Sequence, residues 1–304
     1  MIQKIFSDYF KIKQEKILIN LLLFILTIIT TTLTGSLLRG RNPFISIENV
    51  SYGLPYSFAI MMILSAHEMG HYLYGVKYRI HSTLPYFIPF FLYPFSFGTL
   101  GAFIKMKSPI PDKKALFDIG IAGPLAGFVM SLIFLMIGLY NLPDLEGVIA
   151  YVSEIHPWSE TGEDALTLGN SILFDYIRVA MDANYLPMYE IYHFPFIFAG
   201  WIGLLVTALN LMPIGQLDGG HISYALLGRK AKFIGLFAFI ALALLNFYAT
   251  NWLLWTILIL FLIRLKHPPT LNDNINLDRK RKILAWISYV IFISCFSPKP
   301  LYFG

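Results

Sequence analysis

Residues 56–76 read YSFAIMMILSAHEMGHYLYGV, an apolar run that carries His67, Glu68 and His71 within five positions. A helix of about 20 apolar residues is long enough to cross a hydrocarbon core about 30 Å thick. Ionisable groups inside such a run are costly, and they usually mark function. Residues four apart on a helix share a face, so His67 and His71 can reach one ion, with Glu68 beside them as a general base for metal-assisted hydrolysis. The bland alternative is a histidine pair that serves only hydrogen bonds between helices.

Outward from this run, the whole chain has the same character. Of its 304 residues 57% are apolar and 13% charged, against roughly 25% charged in an average soluble domain. The apolar residues fall in blocks, so the expected fold is an all-α polytopic membrane protein with about seven transmembrane helices. The expected spans are Ile17–Leu38, 56–76, 115–140, 194–212, 233–248, 252–265 and 283–296. The first follows Lys4, Lys11, Lys13 and Lys16; it is too long for a cleaved signal and is read as retained. The net charge of +5 does not indicate a nucleic-acid partner, because the bases cluster between apolar blocks, as membrane topology requires. A single cysteine, Cys295, excludes an internal disulfide framework and a metal site built from several thiolates.

Basic residues gather in the N-terminal tail, at Lys77, Arg79, Lys105, Lys107, Lys113 and Lys114, around Arg229, Lys230 and Lys232, and over 279–282. These are alternate connections. The segment 141–193 has nine acids and one base, Arg178, and is expected outside the cytoplasm. Both counts put the N-terminus in the cytoplasm and the C-terminus outside; Arg39 and Arg41, in a short outer loop, are the exception. Between the second and third spans, residues 84–104 are apolar but broken by Pro85, Pro89, Pro94, Gly98 and Gly101. They cannot form one helix, and are read as a re-entrant loop or short β-hairpin entering from the cytoplasmic side, or else as a loop lying flat on the surface. In the third span Gly123 and Gly127 form a GxxxG pair, read as a packing face without chemistry.

A catalytic zinc site takes three protein ligands and leaves a position open. Asp218 is the best candidate for the third, within NLMPIGQLDGGH at 210–221, where Pro213 and Gly215 end the fourth span. His221 is a rival ligand, and a purely capping Asp218 is a further alternative. The second and fourth spans both run inward, so His67, His71 and Asp218 can converge at one depth near the cytoplasmic face. His81, His156, His193 and His267 fall in connections and are read as solvated or hydrogen-bonded. Asp118 is expected to pair with Lys114 one turn earlier.

Three motifs in order, HEMGH, then GTLGA (98–102) with DIGIAGPLAG (118–127), then NLMPIGQLDGGH, resemble the site-2 protease family of intramembrane zinc metalloproteases. The likeness covers about 65–228, over half the chain. The ending HPPT (267–270), with a basic span after it, resembles a prokaryotic branch that has relatives in chloroplasts. The resemblance implies one zinc ion held by His67, His71 and Asp218, Glu68 as general base and then proton donor, Asn210 on the scissile carbonyl, and Gly98 and Gly101 near substrate. It implies a transmembrane protein substrate within the bilayer of a prokaryotic plasma (inner) membrane. The segment 141–193 is too short for the PDZ domain of some members, which needs about 80 to 100 residues.

The whole chain, 1–304, is thus expected to be one membrane-embedded peptidase domain with its catalytic core at 56–228, the acidic outer segment at 141–193 and accessory helices at 233–296. A non-proteolytic zinc-binding membrane protein of chaperone or transport type is the alternative, and it would not need Glu68. An anchored peptidase acting on soluble peptides would need its HExxH helix outside the apolar blocks.

Overall fold

The computed structural model describes residues 17–92, 96–157, 165–249, 252–259 and 267–303. The N-terminal lysines, Pro94, three acids of the outer segment (Glu160, Glu163, Asp164) and residues 260–265 of the sixth expected span lie outside them.

The apolar blocks are helices. In chain order they are α1 (Ile17–Leu38), the short α2 (Ile47–Ser51), α3 (Leu54–Lys77), α4 (Lys113–Tyr140), α5 (Leu145–Ser153), α6 (Ile172–Ala180), α7 (Pro195–Leu211), α8 (Asp218–Leu227), α9 (Ala231–Leu245), α10 (Trp252–Leu258) and α11 (Arg279–Cys295). By length and composition α1 and α4 could cross a membrane, and α7 is a shorter apolar helix. Caps explain where the ends depart from the apolar blocks. Asp112 accepts from the backbone N–H of Lys114 and Ala115 at 2.8 and 2.9 Å, starting α4 before its apolar run. Asp278 does the same for α11 through Arg281 N at 3.1 Å, so that helix begins at Arg279 rather than at 283.

α4 is the central helix, packed against α3, α7, α8 and α11. Large apolar side chains on the outer faces stay exposed, among them Leu22 on α1, Phe237 on α9 and Val290 on α11. Such faces are suited to lipid rather than water.

Between α3 and α4 the chain forms an antiparallel hairpin, β1 (Tyr86–Pro89) with β2 (Thr99–Phe103), pairing Tyr86 with Phe103 and Phe87 with Ala102. The register shifts between Phe87 and Pro89, where proline has no N–H for the ladder. Polar side chains of α1 hold this backbone. Asn20 Nδ2 donates to the carbonyls of Leu84 and Pro85 at 3.1 and 2.9 Å, and Thr30 Oγ1 donates to that of Gly98 at 2.7 Å. Tyr56 of α3 donates to the Phe97 carbonyl at 2.8 Å.

The acidic segment is more than a loop. It folds as α5, β3 (Leu166–Leu168) and α6, and Val148, Val152 and Phe174 join the main core at 0% exposure. β3 pairs antiparallel with β4 (Leu301–Phe303), so the end of the chain returns to this segment.

Asp118 does not use Lys114. Its carboxylate accepts from Arg281 Nε and Nη2, both at 2.7 Å, and from the Tyr78 hydroxyl at 2.5 Å. Asp118 is buried, and a guanidinium fork from α11 satisfies both oxygens where a lysine on its own helix cannot. Arg281→Met leaves that buried carboxylate without its cation, held only by the Tyr78 hydroxyl. The expected cost is on the order of 3 kcal/mol, read as a lowered thermal unfolding midpoint in detergent.

Candidate metal centre

His67 and His71 lie one turn apart on α3, and both are buried together with Glu68. Asp218 arrives from a distant turn. Pro213 cannot continue the ladder of α7, Gly215 turns the chain at φ +54, and helix resumes at Asp218. The turn is tight enough that a Cβ on Gly219 would lie 2.0 Å from the Leu211 carbonyl oxygen. The Asp218 carboxylate therefore sits in the first turn of α8, where unpaired N–H groups favour negative charge.

The three groups make a nearly regular triangle: Nε2 of His67 to Nε2 of His71 is 3.1 Å, and Asp218 Oδ2 lies 3.5 Å from the first and 3.3 Å from the second. Ligands about 2.0 to 2.1 Å from a tetrahedral zinc stand about 3.4 Å apart. The triangle fits that ion, and so does the two-nitrogen, one-oxygen donor set. His71 Nδ1 donates to the Ile119 carbonyl at 2.8 Å, which leaves a lone pair at Nε2. Lone pairs converging this closely in a buried site repel one another unless a cation lies among them.

The other expected residues divide. Asn210, in the last turn of α7, holds its amide Nδ2 at 3.5 Å from His67 Nε2, at the rim of the cluster. The Glu68 carboxylate faces the backbone amide of Ile104, just past β2. Gly98, at φ +79, packs on α1: a Cβ there would lie 2.6 Å from Thr31 Cα. Gly101, at φ +98, has open space where its Cβ would be. His221 is not among the donors. Its Nδ1 lies 2.6 Å from His267 Nε2, and burial, with that ring beside it, pushes its imidazole down to about 4.

Two contributors escape a reading of the ligand motif. The Ile119 carbonyl orients His71, and the GxxxG face of α4 makes room for the rings: a Cβ on Gly123 would lie 2.1 Å from His71 Nε2. GxxxG spacing signals a close helix pair, but not what is pressed against it.

A buried pair of imidazoles and one carboxylate, with a glutamate next to the first histidine on an apolar helix, defines a metallohydrolase-type centre. Residues 55–247 match Peptidase family M50, and the chain belongs to that family, the site-2 proteases whose motifs it carries. It is 30% identical to the probable zinc metalloprotease EGY1, chloroplastic, of Arabidopsis thaliana, over 82% of this chain and 43% of that protein. It is 32% identical to the protein of the same name from Oryza sativa subsp. japonica, over 82% and 41%. It is 31% identical to the probable zinc metalloprotease EGY2, chloroplastic, of Arabidopsis thaliana, over 73% and 37%. The chain thus spans about two-fifths of the length of these relatives. No solved structure gives a significant match. Zinc is the cofactor that the family and the donor set indicate.

Gly123→Ala is expected to lose most bound zinc while keeping its helical circular dichroism. Gly75→Ala, whose Cβ would meet Ser82 Oγ at an ordinary 3.6 Å, is the control that keeps the metal.

Proposed function

We propose that the protein is an intramembrane zinc metalloendopeptidase that cuts transmembrane protein substrates. The observation that carries this reading is the convergence of His67, His71 and Asp218 beside Glu68 on apolar helices.

Seven spans are the topology we infer. The pairing of β3 with β4 supports the count, because 166–168 and 301–303 must then lie on one side, with an even number of crossings between them. Residues 194–212, 233–248, 252–265 and 283–296 supply four. Contacts on the two faces agree: Asp112 bridges to Asn272 at the basic end, while Trp252 Nε1 donates to the Pro298 carbonyl at 2.8 Å at the acidic end. With basic connections inside, the N-terminus is cytoplasmic, the acidic segment 141–193 external, and the metal cluster nearer the cytoplasmic face. The hairpin enters from that face at membrane depth, where the polar groups of α1 satisfy backbone that lipid could not. The chain reads as one peptidase domain, 1–304, with its core at 56–228 and accessory helices at 233–296; the HPPT ending favours a prokaryotic plasma membrane.

His67, His71 and Asp218 would hold the zinc ion, which when bound acidifies water and polarises a carbonyl oxygen. Glu68 accepts the proton of the attacking water and passes it to the leaving amine nitrogen. Asn210 would donate from Nδ2 to the oxyanion that develops at the scissile carbonyl. A substrate helix shields its peptide bonds and must unwind first. Among the described residues no strand pairs with the second edge of β2, and Gly101 leaves space beside it. We infer that an unwound substrate segment adds there as a strand. Gly98, packed on α1, positions that edge.

Glu68→Gln should keep its zinc and lose cleavage of a model transmembrane substrate by about 10²- to 10⁴-fold. Cleavage at the wild-type rate would remove Glu68 as the base, and a Glu68→Gln chain that fails to cleave yet still supports function in the cell would favour a non-proteolytic role. Gly101→Leu should cleave poorly with zinc content intact and Gly101→Ala less so, since both bear the same backbone strain and differ in bulk. Zinc loss in Gly101→Leu would place this stretch in the metal scaffold.

A further inference from the structure

A second triangle lies at the acidic end. His156 Nε2 and His193 Nε2 are 3.1 Å apart, and Glu190 Oε2 lies 3.3 Å from the first and 3.4 Å from the second. These distances match the His67, His71 and Asp218 set. The elements that carry them are unrelated: His156 follows α5, while Glu190 precedes and His193 ends the short 3-10 turn Ile191–His193 that leads into α7. Asn210 lies 15 positions after Pro195 on α7, about 22 Å along the helix, so this cluster and the first lie at opposite ends of that helix.

The protonation of the rings decides what the cluster can be. His193 Nδ1 contacts the Leu38 carbonyl at the end of α1, and His156 Nδ1 lies 3.0 Å from the Pro157 carbonyl. A carbonyl only accepts, so both Nδ1 atoms donate, and each neutral ring presents a lone pair at Nε2. Two such lone pairs face a carboxylate oxygen. Glu190 is 2% exposed, and its Oε2 has no hydrogen-bond partner. A buried acceptor left unsatisfied is costly, and with both rings neutral a metal ion among the three acceptors would satisfy all of them at once.

We propose that His156, Glu190 and His193 form a second divalent-metal site of zinc type, distinct from the hydrolytic centre. Carbonyl-oriented imidazoles with one carboxylate are a donor set suited to zinc. The His156 side chain is 37% exposed, so the remaining coordination position opens to solution. The site is a clip. It ties the chain after α5 to the start of α7, and through the Leu38 carbonyl to the end of α1, fastening the acidic segment to two core helices. No chemistry is assigned to it, because among the described residues no further acid or base joins the cluster.

The test counts metal in the purified full chain, loaded with excess zinc in detergent and freed of loose ion by gel filtration. Two equivalents are expected in the wild type, one each in His156→Gln, Glu190→Gln and Asp218→Asn, and none when His156→Gln and Asp218→Asn are combined. The equivalent retained by His156→Gln shows that the fold survives the change. Cobalt substitution should give d–d absorption in Asp218→Asn that disappears when His156→Gln is added. A wild type holding one equivalent that His156→Gln leaves in place, or two equivalents surviving in both His156→Gln and Glu190→Gln, overturns the proposal. Because Asp218→Asn is scored separately, failure here is distinct from failure of the first centre.

Discussion

The imidazole of His71 occupies the space that a side chain at Gly123 would fill, and from there its Nδ1 reaches the Ile119 carbonyl. This contact between α3 and α4 does two things at once. It seats the two long helices closely, and it points Nε2 of His71 at the place where Asp218 arrives. A bulkier α4 would push the ring away, and a ring without the carbonyl could rotate off the ion. The remaining parts are arranged around that contact: the turn after α7 delivers the carboxylate, and the ion pair of Asp118 with Arg281 fixes α11 on the other flank of α4.

The parts of this centre legible in the sequence are those whose geometry is local. His67 and His71 share a face because helix periodicity puts them there, and Asp218 is legible because Pro213 and Gly215 must end a helix just before it. What depended on the tertiary path was not legible. Asp118 took Arg281, 163 positions away, over Lys114, because burial left only a forked donor able to satisfy both oxygens. Helices α5 and α6 lay hidden in a segment read as an outer connection, since their short apolar faces are buried by contact with the core. Glu190 and His193 carry a local signal, an acid and an imidazole three apart on a helical turn, but their third partner, His156, is joined only by the fold.

Hairpin and helix α1 depend on one another in the same way. An apolar helix gains little by carrying Asn20, Thr27, Thr30, Thr31 and Thr34, and four of these five are buried. Asn20 and Thr30 donate to hairpin carbonyls, Thr34 pairs with Ser96 at 3.1 Å, and Thr31 pairs with Ser57 of α3 at 2.7 Å. The polar stripe therefore satisfies carbonyls of the hairpin from within the fold. Among the described residues one edge of β2 has no paired strand, and Ile104, just past β2, faces Glu68.

The two triangles show one solution reached twice. Each brings two imidazoles and one carboxylate together from two separate segments, with a backbone carbonyl beside Nδ1 of His71 in the first and of both rings in the second. They differ in what stands next to them. Beside the first are a second carboxylate, Glu68, and the Asn210 amide, the groups that the proposed hydrolysis would use. Around the second are the ends of α1 and α7 and a folded acidic segment, the groups a fastening needs. Donor sets of equal geometry thus serve different ends according to the second layer of residues, and it is that layer, more than the ligands, that separates a reacting metal from a structural one.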